Sequence, residues 1–176
     1  SPQRGGAGPG GLRRRPQGLI PLDAAHPRVL GYLGRALSLE LSAVQQYMTQ
    51  ASLVELWGDT HAAERFRQET VEEMRHVERL VQRMLQLGVA PAASQLRPVA
   101  HAADLEGLLR LNAVLEEDLI QHYGEAMRFC LLIGDGNNAS FFRALRDEEQ
   151  QHGEDLAAWI GSLAAVPSRA LQRATF

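Results

Sequence analysis

The sequence predicts an all-α protein, with four long helices in a bundle and a long crossover between the second and third. Three observations predict it. Apolar residues recur at spacings of three and four over four long stretches. Clusters of Gly, Pro and Asp separate those stretches. A pattern of carboxylates and imidazoles also occurs twice: Glu73-x-x-His76 returns 76 residues later as Glu149-x-x-His152. A lone glutamate, Glu40 or Glu116, stands 33 residues before each. Leu39/Leu115, Gln45/Gln121, Tyr47/Tyr123, Phe66/Phe142 and Glu72/Glu148 repeat at the same offset.

The first helix is expected from His26 or Pro27 to Leu56, since proline suits a first helical turn. Leu30, Leu33, Leu37, Leu41, Val44 and Met48 form its apolar stripe, and Gly58-Asp59 ends it. The second follows an Asp59 or Thr60 cap and runs to Leu87, where Gly88 and then Pro91 stop it. Residues 88–103 are too long for a tight turn and permit a crossover along the bundle. The third helix is expected from Asp104 to about Ile133, ending at Gly134-Asp135-Gly136-Asn137. The fourth is expected from about Asn138 to Leu163. Residues 23–165 thus form one bundle. Residues 1–22 read as a flexible Gly/Pro/Arg-rich arm without the apolar stretch of a secretory signal, and residues 166–176 as a short C-terminal helix.

Composition removes several functions. No apolar run approaches the roughly 20 residues that cross a bilayer. Cys130 is the only cysteine, so neither an intrachain disulfide nor a multi-thiolate metal site can form. All 18 basic residues are arginine, which removes Schiff-base lysine chemistry and the phosphate-binding P-loop. The arm carries +4, whereas the rest, with 14 arginines against 21 acids, carries −7. An acidic body suits cations rather than nucleic acid.

On a helix, positions i and i+3 share a face, so each Glu-x-x-His presents an oxygen and a nitrogen to one point. Four helices projecting Glu40, Glu73 with His76, Glu116, and Glu149 with His152 inward would surround two metal ions. Mixed carboxylate and imidazole ligation suits iron, manganese or zinc. Four buried carboxylates repel one another and resist ionisation, and two divalent cations would balance them. Spacing leaves open whether Glu73 and Glu149 each serve one metal or bridge two. Tyr47 and Tyr123 lie two turns beyond Glu40 and Glu116 on the same face. Tyr47 is the stronger candidate for a hydrogen bond to a ligand or a redox-active phenol, with buried aromatic packing as the plain alternative. His26, His61, His101 and His122 lie outside the pattern and read as surface or capping residues.

Leu39-Glu40-Leu41-Ser42-Ala43-Val44-Gln45-Gln46-Tyr47 and Glu72-Glu73-Met74-Arg75-His76 resemble the first and second ligand segments of the bacterioferritin family. Leu108-Leu109-Arg110 through Glu116, and Glu149-Gln150-Gln151-His152, are similar to its third and fourth. The likeness covers about residues 26–165, and the second Glu-x-x-His distinguishes this family from animal-type ferritins. The resemblance implies a ferritin-like four-helix bundle whose six ligands hold two iron ions per subunit. It implies a ferroxidase that oxidises Fe(II) with dioxygen or peroxide and stores ferric mineral in a cytoplasmic shell of 24 subunits built from dimers. Pro167–Phe176 would be the short fifth helix.

The resemblance also implies haem b shared between two subunits. Met74 would be its axial ligand, and Val44, Met48 and Val71 could line the pocket; the alternative for Met74 is ordinary interface packing. A small ferredoxin-type protein is the implied reductant. One departure is Gln68, where many members carry an inner-surface histidine five residues before the second-helix glutamate. Other functions compatible with the residues are a non-storing di-metal peroxidase or oxidase, and a haem-carrying subunit of a mixed ferritin shell. A shell that protects nucleic acid through Arg13–Arg15 is disfavoured by the acidic body.

Overall fold

The computed structural model describes residues 24–92 and 94–165. The arm expected over 1–22 and the fifth helix expected over 166–176 lie outside the described residues. Among the described residues there are four helices: α1 (Pro27–Leu56), α2 (Thr60–Gln86), α3 (Leu105–Leu132) and α4 (Gly136–Ala164). None is long and apolar enough to cross a membrane.

Each helix begins where a side chain can accept a hydrogen bond from an otherwise unpaired backbone N–H. At α1 that acceptor is His26 Nδ1, 3.0 Å from the Arg28 N–H, and Pro27 occupies the first turn. Asp59, Asp104 and Asp135 do the same for α2, α3 and α4, at 3.0, 2.8 and 3.1 Å. The fourth helix therefore starts at Gly136, two residues before the expected Asn138, because Asp135 already caps it. Gly58 (φ 86°) and Gly134 (φ 74°) end α1 and α3 in the left-handed conformation that glycine adopts without strain. Gly58-Asp59 and Gly134-Asp135 stand at the same 76-residue offset as the ligands. The two helical hairpins share one turn.

Tyr47 reaches Glu116 and Tyr123 reaches Glu40, so α1 and α3 run antiparallel. Since α1 and α2 are also antiparallel, α2 and α3 point the same way, and the chain must travel the bundle's length between them. Two serines of α1 hold this crossover. Ser38 Oγ accepts from the Gln95 N–H at 3.1 Å and Ser42 Oγ from the Arg97 N–H at 2.9 Å. The Arg97 side chain then pairs with Asp118 of α3 at 2.5 Å.

The core divides into two apolar layers. One holds Tyr32, Leu33, Leu37, Leu80, Leu119 and Phe142; the other holds Val54, Phe66, Leu108, Leu109, Leu156 and Trp159. Phe66 and Phe142, repeat partners, fall one in each layer. Buried glutamates lie within the bundle as well, together with a triad of buried amides. In that triad, Asn112 Oδ1 accepts from Gln46 and Gln50 at 2.8 Å each, and Asn112 Nδ2 donates to Gln50 at 2.6 Å.

Asn112→Leu strands both glutamine side chains in the interior. It is expected to destabilise the bundle by roughly 2–4 kcal/mol, since each unpaired buried polar group costs about 1–3 kcal/mol. Denaturant unfolding should show this as a lower midpoint, and an unchanged midpoint would contradict the account.

Candidate metal centre

Helical periodicity places Glu73 and His76 one turn apart on the inner face of α2, and Glu149 and His152 likewise on α4. Glu40 comes from α1 and Glu116 from α3. Glu40, Glu73 and Glu149 are completely buried at 0% exposure, with Glu116 at 5% and His76 at 3%. Two groups form. Glu40, Glu73, His76 and Glu149 offer ligand atoms within 4.8 Å of one another, as do Glu73, Glu116, Glu149 and His152. Glu73 and Glu149 belong to both groups, a relation the spacing left open. The imidazoles stack at 5.9 Å between centroids and 14° between planes.

Both histidines face the carboxylates through Nδ1. His76 Nδ1 lies 2.7 Å from Glu149, 3.2 Å from Glu40 and 3.3 Å from Glu73. His152 Nδ1 lies 3.0 Å from Glu73 and 3.4 Å from Glu149. Burial and then the Glu73 charge push the Glu40 carboxyl well up, and burial and then Glu116 do the same to Glu149. Burial also raises Glu116. Burial would raise Glu73 too, but hydrogen bonds from Glu40, His152 and His76 outweigh it and hold this carboxylate low. For the imidazoles burial favours the neutral form, yet bonds to glutamates win. His76 rises to about 10 through Glu40 and Glu73, and His152 to about 9 through Glu73. The site without metal thus holds protons among its carboxylates.

Those protons satisfy only part of the cluster. One oxygen of each glutamate, the Oε2 of Glu40, Glu73, Glu116 and Glu149, is buried with no hydrogen-bond partner. Four orphaned acceptors converging with two imidazole nitrogens fit two divalent cations, and the hard-oxygen and borderline-nitrogen donor set fits iron, manganese or zinc. Glu40 with His76 and Glu116 with His152 would hold one ion each, and Glu73 and Glu149 would be shared.

Around the cluster, Tyr47 donates to Glu116 at 2.5 Å and Tyr123 to Glu40 at 2.6 Å. The tyrosines are therefore equivalent partners, each orienting a terminal carboxylate of the opposite helix. Both phenols are pushed well up, first by burial and then by the carboxylate each one touches, so both stay protonated.

Three further acids lie beside the cluster; the sequence paired Glu72 with Glu148 as repeat partners but did not place them or Glu69 at the site. Glu72 Oε2 lies 2.6 Å from His152 Nε2, and Glu148 Oε2 lies 3.8 Å from His76 Nε2 while pairing with Arg79. An opening of about 300 Å³ beside the histidines is lined by these residues and Arg75. The repetition of Glu72 as Glu148 was a usable signal, but their histidine partners sit on other helices. Glu69, half-buried one turn before Glu73, is pushed up to about 7 by burial and then by the Glu116 charge. Its i−4 relation to Glu73 could have flagged it.

Met74 follows buried Glu73 but points outward, 45% exposed; Val71, one turn before it on α2, is 52% exposed, and Met48 of α1 is 55% exposed. Val44 is half-buried and Gln68 exposed. None of the four other histidines joins the cluster. His26 caps α1, whereas His122 is half-buried, its Nε2 2.9 Å from the Tyr32 carbonyl, rather than a surface or capping residue. It packs there because its ring meets Tyr32 edge-on at 5.7 Å.

A family profile described as the ferritin-like domain matches residues 30–166. A bacterioferritin of Rhodobacter capsulatus is 31% identical over 133 residues, covering 76% of this chain and 83% of its own. One from Brucella melitensis is 30% identical over 140 residues, covering 80% and 87%. The solved structure of Rhodobacter capsulatus bacterioferritin superposes with a TM-score of 0.78 at 29% identity, over 81% of this chain and 89% of that one. That structure has a metal-free dinuclear site and a haem iron in a crystallographic special position.

Protons held at the cluster make stability depend on pH. Both imidazoles titrate above their ordinary 6.5, so their contribution is complete below pH 6.5 and is lost as pH rises through about 9 to 10. Glu40 and Glu149, also raised, act in the same sense. The thermal midpoint of metal-free protein is expected to fall between pH 6.5 and 10, and bound Zn(II) to flatten that fall by replacing the protons. A flat profile in the metal-free protein would contradict this assignment.

Proposed function

Because the chain belongs to the bacterioferritin family of ferritin-like proteins, we propose that it oxidises Fe(II) at the six-ligand cluster and stores the ferric product inside a cytoplasmic shell of 24 subunits. The observation that carries this reading is the convergence of four orphaned carboxylate oxygens with two imidazoles in the bundle core. Iron is the substrate. Glu40 and His76 receive one Fe(II), Glu116 and His152 the other, and Glu73 and Glu149 span both. Two Fe(II) release two electrons, which with two protons reduce dioxygen to hydrogen peroxide, or peroxide to two waters.

The chain's own residues bring the ions together and hold the charge. Four carboxylates cancel the charge of two divalent ions, so entry releases protons from Glu40, Glu149 and the imidazoles rather than concentrating positive charge. Tyr47 and Tyr123 fix the terminal carboxylates through their hydroxyls, and Tyr47 is also a candidate electron donor. Apolar layers at either end of the polar centre limit water. Gln68 removes an imidazole from the inner-surface position, so iron transfer toward the mineral depends on the remaining acids, including Glu72. Mobilisation of stored iron draws electrons from a small ferredoxin-type protein.

Haem b is the cofactor of this reading, and Met74 would hold it at a surface shared between two subunits. Its support is a thioether 45% exposed, with exposed Val71 one turn before it on the same helix, apolar side chains that a partner subunit and a flat apolar group would cover. The haem supplies one-electron transfer when bound.

Glu73→Ala and His152→Ala should each abolish rapid aerobic Fe(II) oxidation, followed by ferric absorbance, while leaving particles assembled on a sizing column. Undiminished rates in both would overturn the ferroxidase reading. Wild-type particles should retain iron far beyond two ions per subunit; retention limited to two would instead indicate a non-storing di-metal peroxidase or oxidase, or an accessory subunit. Met74→Leu should yield assembled, haem-free protein lacking Soret absorbance.

A further inference from the structure

The two halves of the cluster are copies in sequence, yet the residues behind their histidines differ. His152 Nε2 meets the Glu72 carboxylate at 2.6 Å, and among the described residues Glu72 makes no other ion pair. His76 Nε2 stands 3.8 Å from Glu148, beyond hydrogen-bond reach, and Glu148 instead pairs with Arg79. The repeat partner of Arg79 is Asp155, which accepts a hydrogen bond from Gln151 at 3.1 Å and leaves Glu72 without a competing cation. Arg75 lines the same opening but forms no ion pair among the described residues.

We propose that the two metal positions are unequal, the one served by His152 binding metal more tightly because Glu72 positions that imidazole while Arg79 withholds Glu148 from His76. A carboxylate that accepts from the outer N–H of a ligating imidazole fixes the tautomer, points Nδ1 at the metal and strengthens its donation. His152 has that support. His76 lacks it and lies near the positive charge of Arg79, which opposes a second cation. The inference rests on reading the six ligands as a dinuclear centre. It assigns Glu72 and Arg79 as positioning residues outside the ligand set.

Co(II) serves as the probe, titrated into metal-free protein and followed by its visible ligand-field absorption and by calorimetry. Wild type should bind one Co(II) per subunit about 10- to 100-fold more tightly than a second, the range over which such supporting residues alter affinity. E72Q should weaken the tight step at least tenfold and shift its absorption while leaving the weak step in place, and E72D should restore part of the gap. R79Q should strengthen the weak step and narrow the gap from the other side. Two equal steps in wild type, an E72Q effect on both steps alike, or an R79Q protein with an unmoved weak step would overturn the inference. Fewer than two Co(II) per subunit would instead overturn the dinuclear reading on which it rests.

Discussion

Everything in this molecule is arranged around the cost of placing four carboxylates in the interior of a helical bundle. An isolated ionised carboxylate there is prohibitively unfavourable, and four within a few ångströms repel one another as well. The chain responds at each level. Tyrosine hydroxyls donate to the terminal glutamates, histidines bridge the shared ones, and protons occupy what remains. Even so, each glutamate keeps one buried oxygen without a partner. The surrounding apolar layers supply the stability that lets the fold carry this deficit, which the two proposed cations would relieve.

Much of this was legible in sequence because helices convert spacing into direction. Three-residue spacing places glutamate and histidine on one face, and the 76-residue offset shows that the same arrangement was used twice. Helix ends were readable from Gly58-Asp59 and Gly88. At α4 the first turn lay two residues before the expected start, because a capping carboxylate can recruit glycine and asparagine into a helix. Relations between helices were not legible. The sharing of Glu73 and Glu149, and the pairing of Glu72 with His152, depend on how four cylinders rotate against one another, which no single periodicity records. The half-buried position of His122 was hidden for the same reason, since its partner Tyr32 is 90 residues away.

The crossover shows a division of labour in the chain. It contributes none of the six candidate ligands, yet it determines that the two hairpins meet with α1 antiparallel to α3. Two α1 serines and one arginine pair suffice to hold it along the bundle. The ligand-bearing helices turn their inner faces to the cluster and leave other residues exposed on their outer faces. Met74, adjacent to Glu73 but pointing the other way, shows how one helical turn can serve both surfaces.

The shared glycine–aspartate turn extends the internal repeat beyond the ligands to the hairpin as a whole. Turn, carboxylate, tyrosine and Glu-x-x-His all recur in one order at one offset. The chain thus reads as one helical hairpin written twice, end to end. A lone hairpin with three donor residues would have needed a second molecule of itself to complete any such centre. With both hairpins on one chain that encounter is intramolecular, and each hairpin can differ from the other. Arginine at 79 opposite aspartate at 155 is such a divergence, a change that an obligatory pair of identical hairpins could never have made on one side only.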